Sequence, residues 1–124
     1  MPNETKHTDP GFDLDNWVTQ VRKGLLELCI VAVLDEGEMY AYDLVKRLGS
    51  IKALVITEGT IYPLLSRLRA SGLITSRLEE SSGGPARKYY VLTEEGRRTV
   101  RSMRAYWGGL ANDIGTLIEK ECEP

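Results

Sequence analysis

Between Asp15 and Leu48 apolar residues recur every three or four positions, and after Gly72 they recur every second one. That change of period divides the chain into helices, then a hairpin, then a helix again. The first helix is expected from about Asp15, with Asp13 or Asp15 as N-cap and Gly37 of "DEGEMY" as its stop. Val18, Val21, Leu25, Leu28 and Ala32 mark one stripe along it, and Leu26, Ile30, Val33 and Leu34 a second. A helix apolar on two sides needs two partners. "YAYDLVKRLGS" predicts a shorter second helix, with Tyr42, Leu44, Val45 and Leu48 at helical spacing and Gly49 past its end. "IKALVI", β-branched but short, reads as a connecting loop or a brief strand.

Thr57 is the N-cap of a third helix that stops at Gly72. Its Ile61, Leu64, Leu65 and Leu68 follow i, i+3, i+4, i+7 and form the buried stripe, so Thr60, Pro63, Arg67 and Ala70 face the other way. In a helix interior Pro63 would cost about 3 kcal/mol. The regular helix is therefore expected near Gly59 to Thr60, with Pro63 just beyond its first turn. "LITSRLEE" and "ARKYYVLT" then alternate as two strands around "SSGGP", a tip that stays mobile unless something docks on it. In the second strand Tyr89 and Val91 share one face, and Lys88, Tyr90 and Leu92 the other. Thr93 caps a long final helix whose Glu94 and Glu95 sit at the positive end of the dipole.

Along that helix Val100, Met103, Trp107, Leu110, Ile114 and Leu117 are spaced 3, 4, 3, 4, 3, a seam that packs one helix along another. It is too long for the preceding domain to cover, and the first helix has a stripe to spare. A homodimer held by the first and last helices uses both. Packing of these two helices within one chain leaves one face of the first unused. The expected organisation is a disordered tail over 1–13, a winged-helix domain over 14–92, a dimerisation helix over 93–120 and a tail over 121–124. Three helices, a two-stranded β-hairpin and a helix make a mainly α chain of the winged helix-turn-helix class.

Composition narrows the chemistry. The 124 residues suffice for one compact domain, and no apolar run reaches the ~18 residues of a membrane span. The polar N-terminus carries no secretory signal, so a cytoplasmic location is expected. Cys29, inside "LLELCIVAVL", reads as core packing, and Cys122 is near the C-terminus. With His7 the only histidine, no metal site is implied. Nor is there a Ser/His/Asp or Cys/His set, or a carboxylate pair in an apolar pocket. "SSGGPARK" fails the phosphate-loop spacing and lacks Ser or Thr after its Lys. The residues argue against an enzyme and imply no cofactor.

The formal charge is −2, yet between Ala41 and Arg104 twelve Lys and Arg stand against six Asp and Glu, a local +6. Screening limits electrostatic reach to about 8 Å at physiological salt, so local clustering decides whether a polyanion binds. Helix and hairpin then form one surface for double-stranded DNA, with Arg87 and Lys88 placed to pair with phosphates near the tip. A winged helix used only for protein contacts is the alternative, and it has no need of that charge.

"GTIYPLLSRLRASGLI" followed by "GGPARKYYVLTEEG" resembles the PadR family of bacterial transcriptional regulators, in particular its small members with one C-terminal helix. The likeness covers roughly residues 24 to 107 and rests on "TIYP" paired with "RKYY" and "LT..G". It implies a dimeric repressor on a pseudo-palindromic operator, released in some members by small aromatic or cationic compounds. Ala41 stands where the family usually has Gly, and Arg69 where it usually has an acid, which makes the end of the recognition helix more basic.

By resemblance and facing, Thr60, Tyr62, Pro63 and Arg67 are the recognition candidates. Tyr62 is suited equally to a phosphate or base edge and to packing under its helix. Tyr42 is placed either against backbone phosphate or in the core. Arg97, Arg98, Arg101 and Arg104 form a run on the last helix, most of which reads as a solvated face. Trp107, followed by Gly108 and Gly109, is a candidate wall of a slot for a flat aromatic effector, or else dimer-core packing. Trp17 is a candidate second wall, or an amphipathic anchor.

Overall fold

The computed structural model describes residues 11–80 and 83–122, with side chains placed as far as Glu119. His7, most of the expected N-terminal tail, the hairpin tip at Ser81 and Ser82, the side chain of Cys122 and residues 123–124 lie outside the described residues. Helix α1 (Leu14–Leu34) leads to a two-residue strand β1 (Met39–Tyr40), then α2 (Ala41–Leu48), a single 3-10 turn (Lys52–Leu54) and α3 (Glu58–Ala70). Strands β2 (Ile74–Glu79) and β3 (Arg87–Leu92) form the hairpin, and α4 (Glu94–Cys122) closes the chain.

Asp13 caps α1, its carboxylate accepting the Asn16 N–H at 3.1 Å. The helix ends at Leu34, before Gly37, because the Glu36 and Gly37 N–H groups turn back onto Val33 and Leu34 in tighter bonds. Its second stripe is the core stripe: Leu26, Ile30, Val31, Val33 and Leu34 are buried. Ile30, Val31, Leu44, Leu48, Ile61, Leu65, Ile74 and Val100 are the innermost side chains, so all four helices and the hairpin share one core.

The expected two-stranded hairpin is a three-stranded antiparallel sheet of order β1-β3-β2. Met39 pairs with Tyr90 and Tyr40 with Tyr89, which leaves β3 as the central strand. On the inner face Ile74, Tyr90 and Leu92 are buried, as the alternation requires. "IKALVI" is neither strand nor simple loop. Leu54 plugs into the core from the 3-10 turn, and Val55 follows with φ 52°, a left-handed conformation that β-branched residues rarely adopt.

Helix α3 starts earlier than expected. The Thr57 hydroxyl accepts the Thr60 N–H at 3.3 Å and lies 2.9 Å from the Thr60 hydroxyl, which stabilises helical geometry from Glu58 onward. Pro63 therefore sits in the second turn and has no N–H to offer Gly59. The far end is closed by Gly72 at φ 85°, with Gly72 N–H on the Arg69 carbonyl and Leu73 N–H on that of Leu68.

The Thr93 hydroxyl accepts the Gly96 N–H at 2.9 Å and lies 2.7 Å from the Gly72 carbonyl, fastening the start of α4 to the start of the hairpin. A methyl group at Gly96 would overlap the Leu73 carbonyl and press on Leu92, which is why "LT..G" needs its glycine. Val100 is 0 % exposed within the chain's own core, so it does not belong to the expected dimer seam. Met103 is half-buried against that core, and Ile114, Leu117 and Ile118 are exposed farther along. The helix continues into the expected C-terminal tail, to Cys122. No described helix is long and apolar enough to cross a membrane.

Candidate nucleic-acid interface

The buried stripe of α3 fixes which side of that helix remains for solvent, and the hairpin then stands over part of it. Between them lies an open cleft of about 520 Å³. Tyr40, Ala41 and Tyr42 line it where β1 runs into α2. Tyr62, Leu65, Ser66 and Arg69 line it from α3, and Arg87, Lys88 and Tyr90 from β3. Tyr62, Ser66 and Arg69 recur at i, i+4, i+7, so one side of α3 faces the cleft. Tyr42 and Tyr62 are exposed there.

The stripe expected to face outward lies one step around the helix. Thr60 is half-buried, with its hydroxyl engaged by Thr57, and Pro63 is exposed. Arg67 is turned to α1, its Nε donating to Glu27 Oε2 at 3.1 Å. The cleft brings together Tyr42, Tyr62, Arg87 and Lys88 of the sequence candidates and does not include Thr60, Pro63 or Arg67. Periodicity identifies the buried stripe of α3, but which of the remaining sides faces the hairpin depends on tertiary placement.

Arg69, Ser66, Tyr40 and Tyr90 complete the cleft. In the sequence Arg69 stands out only as a departure from a family pattern. Its Nη1 donates to Ser76 Oγ on β2 at 3.1 Å, so it spans from the helix to the base of the hairpin. Burial pushes the Tyr90 phenol up, nearby Tyr62 adds to this, and Arg69 partly offsets it. Tyr90 therefore stays protonated as a cleft-side donor.

Ion pairing sorts the cations of this region. Arg47, Arg67, Arg77, Arg98 and Arg104 each lie within 4 Å of a carboxylate. Arg69, Arg87 and Lys88 have no carboxylate partner among the described residues, and neither does Lys46, whose ammonium lies 5.4 Å from the centre of the Tyr42 ring. Of the cations so left, Arg69 from α3 and Arg87 and Lys88 from β3 line one cleft, and Lys46 stands beside its Tyr42. Lys52, Arg97 and Arg101, likewise without a carboxylate partner among the described residues, do not line it. A concave strip of cations with exposed phenols suits a phosphate backbone and an adjoining groove.

A second concavity, about 410 Å³ and almost wholly apolar, lies between α1 and α4. Leu25, Leu28, Met103, Tyr106, Trp107 and Leu110 line it, and Trp17 does not. A Cβ at Gly108 or Gly109 would meet nothing within 4 Å. Cys29 is half-buried beside the core, where burial pushes its thiol up and makes it a poor nucleophile. Among the described residues no three His, Cys, Asp or Glu are grouped to hold a metal.

Residues 30–102 match the transcriptional regulator PadR-like family. A PadR-like transcription factor from Bacteroides fragilis is 38% identical, with a TM-score of 0.70 over 82% of this chain and 98% of that one. A PadR-like transcriptional regulator from Bacillus cereus is 36% identical, with a TM-score of 0.73 over 80% of this chain and 96% of its own. Bacillus subtilis PadR, solved in complex with operator DNA, is 26% identical, with a TM-score of 0.57 over 63% of this chain and 45% of that chain. With a winged-helix core, a hairpin over its third helix and this extent of similarity, the chain belongs to the PadR-like family of transcriptional regulators.

Proposed function

We propose that the chain is a DNA-binding regulator that grips a double-stranded operator through the cleft between α3 and the hairpin. The observation that carries this reading is that three cations, Arg69, Arg87 and Lys88, line the cleft without an acidic partner among the described residues, with Lys46 beside them over the Tyr42 ring. Tyr62 and Ser66 face the base edges, and the cations take phosphate oxygens. Two copies act together as a homodimer, in which the exposed apolar parts of α1 and α4 cover one another. Phe12, Leu14, Trp17 and Val21 on or beside α1, and Ile114, Leu117 and Ile118 on α4, are otherwise left in water. The regulator is a repressor, and a flat aromatic or cationic compound seated in the apolar groove at Trp107 releases it by changing the separation of the two clefts.

A gel shift tests the DNA-binding reading. The probe is a duplex from the region upstream of the protein's own coding sequence, run across a salt series. Affinity should fall steeply with salt, and an Arg87→Ala, Lys88→Ala double variant should flatten that dependence by about 0.9 in log–log slope for each phosphate it no longer neutralises. A salt-independent shift, or none at low salt, contradicts the reading.

A further inference from the structure

On the outer face of the sheet two arginines and two tyrosines form a continuous stack. Arg87 lies over the Tyr40 ring at 4.9 Å from its centre, Tyr40 meets Tyr89 edge to face at 5.3 Å, and Arg77 lies over Tyr89 at 5.1 Å. The pairing of β1 with β3 sets this up by placing Tyr40 directly opposite Tyr89. The two arginines differ in what holds them. Arg77 is clamped by the carboxylates of Glu38 and Glu79, so its charge is compensated within the chain. Among the described residues Arg87 is held only by a neutral group: its Nη1 donates to the Tyr40 hydroxyl at 2.8 Å. Tyr40 and Arg87 both line the cleft.

We propose that Tyr40 is a positioning residue that fixes the Arg87 guanidinium at the cleft wall while leaving its charge available to a phosphate. The inference rests on the DNA-binding reading above. An unrestrained arginine loses rotamer freedom when it binds, and one already held by a ring face and a hydroxyl loses less. A carboxylate in place of Tyr40 would also hold Arg87, but it would cancel the charge, as Glu38 and Glu79 do for Arg77. A phenol orients without neutralising. The two-residue strand β1 thus contributes to the hairpin's grip on DNA although it lies before α2 in the chain.

The test is a double-mutant cycle by fluorescence anisotropy with wild type, Tyr40→Phe, Arg87→Ala and the double variant. Two labelled probes are used: the upstream duplex and a scrambled duplex of equal length, each at low and moderate salt. Tyr40→Phe keeps the ring, the stack and the β1 pairing, and removes only the hydroxyl. It should weaken binding of both probes by roughly three- to tenfold per cleft, the cost of ordering one arginine side chain on binding, and so by roughly ten- to a hundredfold for a dimer that uses two. The salt slope should stay at its wild-type value, because the number of neutralised phosphates is the same, and the thermal midpoint should fall by no more than a few degrees, because the bond removed is solvent-exposed. In the Arg87→Ala background the same change should have no effect. Tyr40→Phe binding like wild type, or losing as much without Arg87 as with it, overturns the inference. Failure of the wild type to bind either duplex overturns the DNA-binding reading itself, and the inference with it.

Discussion

Arg67 and Arg69 stand two residues apart near the end of α3, and their surroundings predict opposite behaviour. Arg67 is neutralised by Glu27 of α1 at 3.1 Å, whereas Arg69 lines the cleft and, among the described residues, is held only by the hydroxyl of Ser76. Consider each replaced by alanine. A cation on a phosphate releases bound counterions, and each such pairing contributes about 0.9 to the slope of log affinity against log salt. With two clefts per dimer, Arg69→Ala leaves two phosphates without their cation, so the slope flattens by about 1.8. Between about 50 and about 200 mM salt that amounts to roughly a twelvefold smaller loss of affinity than wild type shows. Arg67→Ala should leave the slope alone and change stability by less than about 1 kcal/mol, since the pair it breaks is solvent-exposed. Anisotropy titrations of both variants against the upstream duplex at four salt concentrations measure the difference. A flattened slope for Arg67→Ala with none for Arg69→Ala, or equal flattening for both, refutes the reasoning from ion pairing.

Gly96→Ala should destabilise the fold by about 2 kcal/mol, because the added methyl meets a backbone carbonyl that cannot move without shifting the start of the hairpin; a thermal melt within a degree of wild type would count against this. Val55→Asn should raise the melting temperature by several degrees, since asparagine tolerates the left-handed backbone and Val55, 58 % exposed, buries little. A lowered midpoint would show that Val55 packs in a way its exposure does not reveal. A planar cationic dye should quench tryptophan fluorescence in the wild type and do so far less in Trp107→Ala. Absent quenching, or quenching of equal extent in both, rejects the groove as an effector site.

Much of the fold was legible because its cues are local. The i, i+3, i+4, i+7 run of Ile61, Leu64, Leu65 and Leu68 is buried, and the alternation through Tyr90 and Leu92 sets the sheet's inner face. Other features were out of reach because they depend on distant partners. Met39 and Tyr40 become a strand only by pairing with β3, some fifty residues later. The spacing of Val100 through Leu117 announces an apolar stripe but not what covers it. Val100 lies in the chain's own core, whereas Leu117 is 63 % exposed. The same limit applied to the site. Counting charges located a basic region, but only the ion pairs to Glu27, Glu36, Glu38, Glu79, Glu95 and Asp35 separate compensated cations from those left open.

Sedimentation velocity of the protein with a labelled upstream duplex, at low salt and again at high salt, is the most direct measurement of the whole account. Two chains per duplex at low salt, with the complex dissolving as salt rises, is the predicted result. A single chain that sediments apart from the duplex even at low salt would contradict it.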